Sequence, residues 1–166
     1  MAASSWFTLR WNDGAVELLD QTRLPEEEHY LRLDRVDDLA RAIERLSVRG
    51  APAIGVAAAL GVALGALNSK AKRVEDLRRE LEEEVIPRLR STRPTAVNLF
   101  WALDRMQVRL NEGITSKELN AEGLRADLLE EAQEILDEDI RGRLWDGRRV
   151  RDCDVLSVRY ELVSLL

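Results

Sequence analysis

The sequence predicts an α+β protein in which a small antiparallel sheet at the N-terminus is followed by a bundle of about five helices. Three observations support this fold class. Apolar residues alternate with polar ones up to residue 33, as they do in half-buried strands. From residue 36 onward they recur every three or four positions, as in amphipathic helices. An uncharged stretch over residues 51–67 predicts one helix that is buried on all sides.

Three strands are expected before the first helix. Residues 7–11 alternate in the first strand, and Asn12-Asp13-Gly14 predicts a tight turn into a second strand at residues 16–18. Residues 29–33 predict a third strand. His29, the only histidine of the chain, lies at the edge of that strand, and we assign it no catalytic role.

Five helices are predicted after the sheet from the spacing of their apolar residues. The third is expected to end near Pro87, because proline lacks an N–H and its ring clashes with the preceding turn. The fourth is expected to begin at Pro94 and to end in a glycine cap at Gly113. The fifth is expected over residues 116–140, where its many carboxylates form a solvated face rather than a metal site. The five helices begin near residues 36, 51, 74, 94 and 116.

The start of the second predicted helix has the composition of an anion-binding site. Pro52 is preset for the first helical turn, where the free N–H groups lie at the positive end of the helix dipole. Gly50 lets another group approach the backbone closely, and Arg49 adds a forked donor suited to phosphate or carboxylate. Taken alone, the motif slightly favours the simpler interpretation, a buried helix that has a surface arginine at its entrance.

A second motif of the same kind opens the fourth predicted helix. Arg93 stands directly before Pro94, and a residue before proline is displaced from helical backbone angles, so this arginine sits at a helix boundary. Two arginines at two helix starts can converge on one phosphate group. In the alternative arrangement they face different regions of solvent, and sequence spacing does not decide between the two.

The uncharged helix is also a candidate membrane span. Its 51–67 stretch is shorter than the roughly 20 residues that a span requires, and it is rich in alanine and glycine rather than leucine and isoleucine. A helix in a soluble core therefore explains it better. Ala57, Gly61 and Gly65 recur every fourth residue on one face, which predicts that another helix packs closely there.

The composition excludes several classes of function. A net charge of −6 argues against a general nucleic-acid surface. The single cysteine excludes an internal disulfide framework and fits a reducing compartment, and one cysteine with one histidine disfavours a structural zinc site. The N-terminal residues show no signal-peptide pattern, and no glycine spacing predicts a nucleotide loop. We therefore expect no nucleic-acid partner, no membrane, no metal and no cofactor.

Several blocks of the sequence resemble methylthioribose-1-phosphate isomerases and occur in the same order. The Arg-Gly-Ala-Pro-Ala-Ile and Arg-Pro-Thr-Ala-Val-Asn blocks are together the most specific, and the resemblance covers about residues 6–141. The blocks are Leu9–Gly14, Leu18–Gln21, Val48–Gly55, Arg93–Leu99 and the pair Glu138-Asp139.

This resemblance implies a cytoplasmic aldose–ketose isomerase of methionine salvage. Such enzymes convert 5-methylthioribose 1-phosphate to 5-methylthioribulose 1-phosphate without metal or nucleotide. They are usually dimers in which a small mixed domain precedes a larger doubly wound α/β domain. The family positions that match Arg49, Gly50, Ala51 and Arg93 bind the sugar-phosphate substrate, so these four residues are the candidate substrate-binding residues of this chain.

The resemblance ends near Arg141. It divides the chain into an isomerase-family domain over residues 1–141 and a divergent tail over residues 142–166, either disordered or a lone strand. The family's catalytic cysteine lies in a Thr-His-Cys-Asn-Thr-Gly block that this sequence does not contain, and Cys153 lies in a different context. We assign no catalytic residue, and we expect this chain to lack the family's second domain and to be inactive alone. The alternative function is a truncated sugar-phosphate-binding or regulatory and assembly module.

Overall fold

The computed structural model describes residues 7–115 and 120–145, and it folds them into a three-stranded sheet packed against a layer of helices. The predicted α+β class is therefore confirmed. A π-helical segment, Leu81–Val85, joins two of the helices into one continuous rod. The elements are β1 (Leu9–Asn12), β2 (Ala15–Leu19), β3 (Tyr30–Leu33), α1 (Val36–Glu44), α2 (Ala51–Asn68), α3 (Val74–Glu80), α4 (Ile86–Arg90), α5 (Val97–Thr115) and α6 (Ala121–Trp145).

The sheet is antiparallel in the order β1-β2-β3, and its register aligns leucines of all three strands on one face. Leu18 pairs with Leu9 on one side and with Leu31 on the other, and its side chain is fully buried. Glu17, on the opposite face, accepts hydrogen bonds from Arg10 and Arg32 on the two neighbouring strands. The alternation of apolar and polar residues therefore produced the predicted half-buried sheet.

Helix α2 is the central element of the fold. It packs against α1, α5, α6 and the strands, and every residue from Ala53 to Ala66 is buried. By length and composition it could cross a membrane, yet 78% of its apolar stretch is buried inside this fold. The interpretation of residues 51–67 as a core helix is thus confirmed, because neighbouring elements cover the apolar surface that lipid would otherwise have to cover.

The small residues of α2 allow its neighbours to approach closely. A Cβ added to Gly61 would lie 2.9 Å from a methyl group of Leu89, and one added to Gly65 would lie 2.8 Å from Val85. Both neighbours belong to the rod formed by α3, the π-helical segment and α4. The predicted close packing on this face is confirmed, and the absence of a side chain is what permits it.

Three predicted helix boundaries were wrong. The third helix does not stop at Pro87, because a π-helical turn lies directly before the proline and the chain continues as helix to Arg90. The fourth begins at Val97 rather than Pro94, since a turn precedes it. That helix also runs through Gly113, which has no positive φ; its missing Cβ instead makes room for Leu124 of α6.

Residues 146–166, which make up most of the predicted tail, lie outside the described residues. Helix α6 continues past the predicted boundary at Arg141 as far as Trp145. The lone strand at residues 156–162, Cys153 and the start of the fifth helix at residues 116–119 are not described. The division of the chain at residue 141 therefore stays a prediction.

We expect Gly55→Ala to lower the free energy of unfolding by about 1–2 kcal/mol. Its Cβ would lie 2.8 Å from the backbone carbonyl oxygen of Asn98, which cannot rotate away, and overpacking of this kind outweighs the gain of about 1 kcal/mol in helix propensity. Gly113→Ala is the matched control, because its new methyl group would meet only the end of the Leu124 side chain. Urea unfolding measures both, and an equal or larger loss in Gly113→Ala would contradict this explanation.

Candidate functional site

The first turns of α2 and α5 lie side by side at one end of the helix bundle. The carbonyl oxygen of Asn98, near the start of α5, approaches the backbone of Gly55 near the start of α2. Helix α6 runs in the opposite direction, because Arg125 near its start donates a 2.9 Å hydrogen bond to the carbonyl oxygen of Ala66 near the end of α2. The positive ends of two helix dipoles therefore meet in one place.

The segment before α2 is held by a residue from the sheet layer. The side-chain oxygen of Gln21 accepts a 3.1 Å hydrogen bond from the backbone N–H of Arg49, and the backbone N–H of Gln21 donates to the carbonyl oxygen of Ser47. Gly50 then caps α2 with a φ of +90°, a backbone conformation that residues other than glycine rarely adopt. Gln21, buried in the structure, thus fixes the entry of the chain into α2.

A short turn at Asp20 and Thr22, the residues on either side of Gln21, holds the backbone of Gln21 in place. One carboxylate oxygen of Asp20 accepts hydrogen bonds from both the backbone N–H and the hydroxyl of Thr22. These bonds, with one from Ser47, lower the pKa of Asp20, although burial, the largest single influence, acts to raise it. The Leu18–Gln21 block, which the resemblance singled out without a role, therefore positions the start of α2.

The two candidate arginines precede the two helices: Arg49 stands directly before the cap residue of α2, and Arg93 stands before the turn that leads into α5. Arg49 is partly buried, and its Nε donates to the carbonyl oxygen of Leu46 at 3.3 Å. Arg93 is also partly buried, and its Nη1 is shielded from solvent without a hydrogen-bond partner among the described residues. The ion pairs of the described residues include neither arginine. A buried cationic donor without a partner is costly, so this end of the bundle favours an anion.

A cleft of about 220 Å³ lies between the starts of α2 and α5 and the C-terminal half of α6. Its wall combines apolar side chains with an amide and two carboxylates. A larger and more open hollow of about 560 Å³ lies near Asn68 and Lys70 at the end of α2. None of Arg49, Gly50, Ala51 and Arg93 lines either cavity, although Ala51 directly precedes Pro52 of the cleft wall. The cleft is lined by Pro52, Gly55, Val56, Asn98, Trp101, Ile135, Glu138 and Asp139.

Arg105 ties the two helices that form the far wall of this cleft. Its Nη1 and Nη2 donate to the two carboxylate oxygens of Glu138 at 2.5 and 3.0 Å, and its Nε donates to Glu131 at 2.5 Å. The guanidinium carbon also lies 5.6 Å from the centre of the Trp101 ring. Hydrogen bonding from Arg105 holds the pKa of Glu138 below its usual range, although burial acts in the opposite sense.

The residues that the sequence analysis considered for the site lie at three different places in the fold. Arg49, Gly50 and Ala51 open α2, with Gly50 and Ala51 exposed, whereas Arg93 precedes the turn before α5. His29 lies next to β3 with its Nδ1 3.9 Å from Glu27, away from the cleft lining. Within residues 7–115 and 120–145, no group of histidine, cysteine, aspartate and glutamate side chains could hold a metal ion.

Sequence reasoning missed Trp101 and Gln21 as site residues. Trp101 looks in the sequence like one more apolar residue of the fourth predicted helix, but half of it is exposed beside the cleft. Its spacing of four residues from Val97, also exposed, is the signal that could have placed it on the outer face of α5.

One protein-family model and several known proteins are similar to this chain. Residues 47–144 match the Initiation factor 2 subunit family. A methylthioribose-1-phosphate isomerase from Pelotomaculum thermopropionicum is 51% identical over 139 residues, covering 81% of this chain and 36% of that protein. Another, from Desulforudis audaxviator, is 52% identical over 132 residues, covering 80% of this chain and 36% of that protein.

Two solved structures are similar to this fold. The crystal structure of 5-methylthioribose 1-phosphate isomerase from Pyrococcus horikoshii OT3 has a TM-score of 0.74 at 39% identity, covering 79% of this chain and 36% of that one. Subunit delta of the translation initiation factor eIF-2B from A. fulgidus has a TM-score of 0.71 at 38% identity, covering 80% and 37%. The chain thus spans little more than a third of the length of these relatives.

We expect Glu138→Gln to make the protein less sensitive to acid. Because the folded-state pKa of Glu138 is lowered, its pair with Arg105 stabilises the fold above about pH 4.3, the ordinary glutamate value, and this contribution is lost as the pH falls through the lowered pKa. Glu138 is half exposed, so the contribution is about 0.5 kcal/mol. Unfolding midpoints between pH 3 and 7 measure it.

The matched control for this measurement is Glu130→Gln. Glu130 is exposed on the same helix and forms no ion pair within the described part of the chain. An acid dependence that is identical in Glu138→Gln and in the unmodified protein would contradict the assigned role of the Arg105–Glu138 pair.

Proposed function

Because the chain belongs to the Initiation factor 2 subunit family, we propose that it is the substrate-contacting N-terminal part of an aldose–ketose isomerase. The reaction is the conversion of 5-methylthioribose 1-phosphate to 5-methylthioribulose 1-phosphate in L-methionine salvage. The relatives from Pelotomaculum thermopropionicum and Pyrococcus horikoshii carry that enzyme's name. The observation that supports the proposal most is the meeting of two arginine-flanked helix starts beside one cleft.

The phosphate of the substrate is proposed to bind at Arg49, Gly50, Ala51 and Arg93. The first turn of a helix presents N–H groups that have no partner within the helix, and a phosphate can accept from them. Gly50 is exposed and has no atom near the position of a Cβ, which leaves room for a ligand against the backbone. The unpartnered Nη1 of Arg93 supports the same assignment, because a phosphate oxygen would satisfy it.

We propose that this chain can bind the sugar phosphate but lacks the groups needed to isomerise it. Moving a hydrogen between C1 and C2 of a sugar phosphate requires a positioned acid or base in a site shielded from water. The carboxylate of Glu138 is already engaged by Arg105, and the cysteine block of the resembling isomerases does not occur in the 166 residues. We therefore propose that the chain alone binds the sugar phosphate without isomerising it.

A second candidate function is a regulatory or assembly module without catalysis. The similarity to subunit delta of translation initiation factor eIF-2B favours it, because that protein carries a translation factor's name on the same fold. Isomerase assays on the purified chain and calorimetry with the sugar phosphate separate the candidates. Binding without turnover supports the substrate-contacting role, whereas absence of binding favours the assembly role.

We expect Arg49→Ala and Arg93→Ala each to weaken binding of 5-methylthioribose 1-phosphate about 10- to 100-fold, because each removes a charged donor worth about 1.5–3 kcal/mol to the phosphate. Isothermal titration calorimetry on the 166-residue chain measures the dissociation constants. Inorganic phosphate, titrated in parallel, should show the same ranking of variants, since the lost contacts are to the phosphate group.

Arg73→Ala is the matched control for these variants. Arg73 also stands immediately before a helix, α3, but its side chain is 71% exposed and pairs with Glu75. Its substitution should leave the affinity unchanged. An equal loss in Arg73→Ala, or unchanged affinity in both site variants, would remove the support for a phosphate site at the starts of α2 and α5.

From the resemblance we also propose that the protein is cytoplasmic and forms a homodimer. A single cysteine suits a reducing compartment, and we propose that two copies of the chain associate. Sedimentation equilibrium should then give about twice the chain mass of 18.9 kDa. A single monomeric species up to high micromolar concentration would contradict the dimer.

A further inference from the structure

The cleft beside the helix starts has an apolar part that a phosphate does not use. Pro52 and Val56 of α2, Trp101 of α5 and Ile135 of α6 supply apolar wall, while Asn98, Glu138 and Asp139 supply polar groups. Such a mixture is typical of small-molecule sites, in which apolar surface gives affinity and a few polar groups fix orientation.

Trp101 is the exposed large apolar side chain of this wall. It is 51% exposed, whereas Val56 and Ile135, which line the same cleft, are buried. A half-exposed tryptophan on a helix surface leaves a large apolar area in water, and a ligand that covers it gains the corresponding transfer free energy.

Arg105 lies over the Trp101 ring beside the cleft. The guanidinium carbon lies 5.6 Å from the ring centre while the same group is hydrogen-bonded to Glu131 and Glu138 of α6. Because two carboxylates hold the arginine, its cation–π contact favours the position of the ring beside the cleft.

Resting on the proposed function, we propose that this cleft binds the methylthio end of the sugar phosphate and that Trp101 is the residue that selects for it. The cleft begins at Pro52, directly after the residues assigned to the phosphate, so one ligand can occupy both places. A thioether is apolar and polarisable, and sulfur packs favourably against aromatic rings. Asn98 and the carboxylate of Asp139 lie on the same wall, where they can accept or donate hydrogen bonds to the sugar hydroxyls.

The test compares two ligands that differ only at the end assigned to the cleft. Calorimetry is carried out on the full 166-residue chain with 5-methylthioribose 1-phosphate and with ribose 1-phosphate, which has a hydroxyl in place of the methylthio group. The unmodified chain should prefer the methylthio ligand about tenfold, the effect expected from one buried methyl group and a sulfur–aromatic contact.

Trp101→Ala should abolish this preference while changing the affinity for ribose 1-phosphate less than twofold. Trp101→Phe should restore most of the preference, because it keeps an aromatic ring. Val108→Ala is the matched control, since Val108 is 56% exposed on the same helix but does not line the cleft. Circular dichroism of each variant checks that the helix content of the chain is unchanged.

The outcomes separate this inference from the function on which it rests. If the unmodified chain binds both ligands equally, or if Trp101→Ala weakens both equally, the sugar-phosphate site stands and the role of Trp101 is overturned. A loss of preference in Val108→Ala would overturn it as well. If neither ligand binds the unmodified chain, the proposed function fails, and the assignment of the methylthio group fails with it.

Discussion

The contact between Gly55 of α2 and the carbonyl oxygen of Asn98 of α5 sets the geometry of the functional end of this protein. A side chain at residue 55 would meet this carbonyl oxygen at 2.8 Å, so the first turns of the two helices would have to shift apart. The rest of α2 follows the same rule, since Gly61 and Gly65 admit the neighbouring rod on its other side. A helix without charges and with glycine at these positions can be enclosed on every side, at the cost of weaker intrinsic helix propensity.

Helix α6 connects the packing around α2 to the candidate site, because it contacts both α2 and α5. The α6 helix is held along α2 by Arg125, whose guanidinium donates to the carbonyl oxygens of Ala66, Ser69 and Ala71. The far half of α6 is held to α5 by Arg105. The hydrogen bonds of Arg125 and Arg105 hold α6 near its start and in its C-terminal half. Ile135, Glu138 and Asp139 of the cleft wall are thereby positioned relative to the starts of α2 and α5.

Much of the fold follows from the sequence because its signals are local. Alternation fixed which face of the sheet is buried, and the absence of charge over residues 51–67 identified the core helix. The passage through Pro87 was not predictable, since it depends on a π-helical turn that no residue type specifies. Arg49 and Arg93 were recognisable as residues at helix starts, but the proximity of those starts depends on how three helices pack. Trp101 and Gln21 were missed because their roles depend on residues distant in the sequence.

The parallel arrangement of α2 and α5 has a thermodynamic consequence for the folded chain. Two helix dipoles that lie side by side in the same direction repel each other, and the repulsion is strongest where their positive ends meet. The folded chain therefore carries an electrostatic penalty at one end, increased by an arginine donor that no described residue satisfies. An anion bound at the proposed phosphate site would relieve this penalty, and it would bind only the folded state. Ligand concentration would then shift the folding equilibrium towards the folded chain, so the proposed site would also contribute to stability.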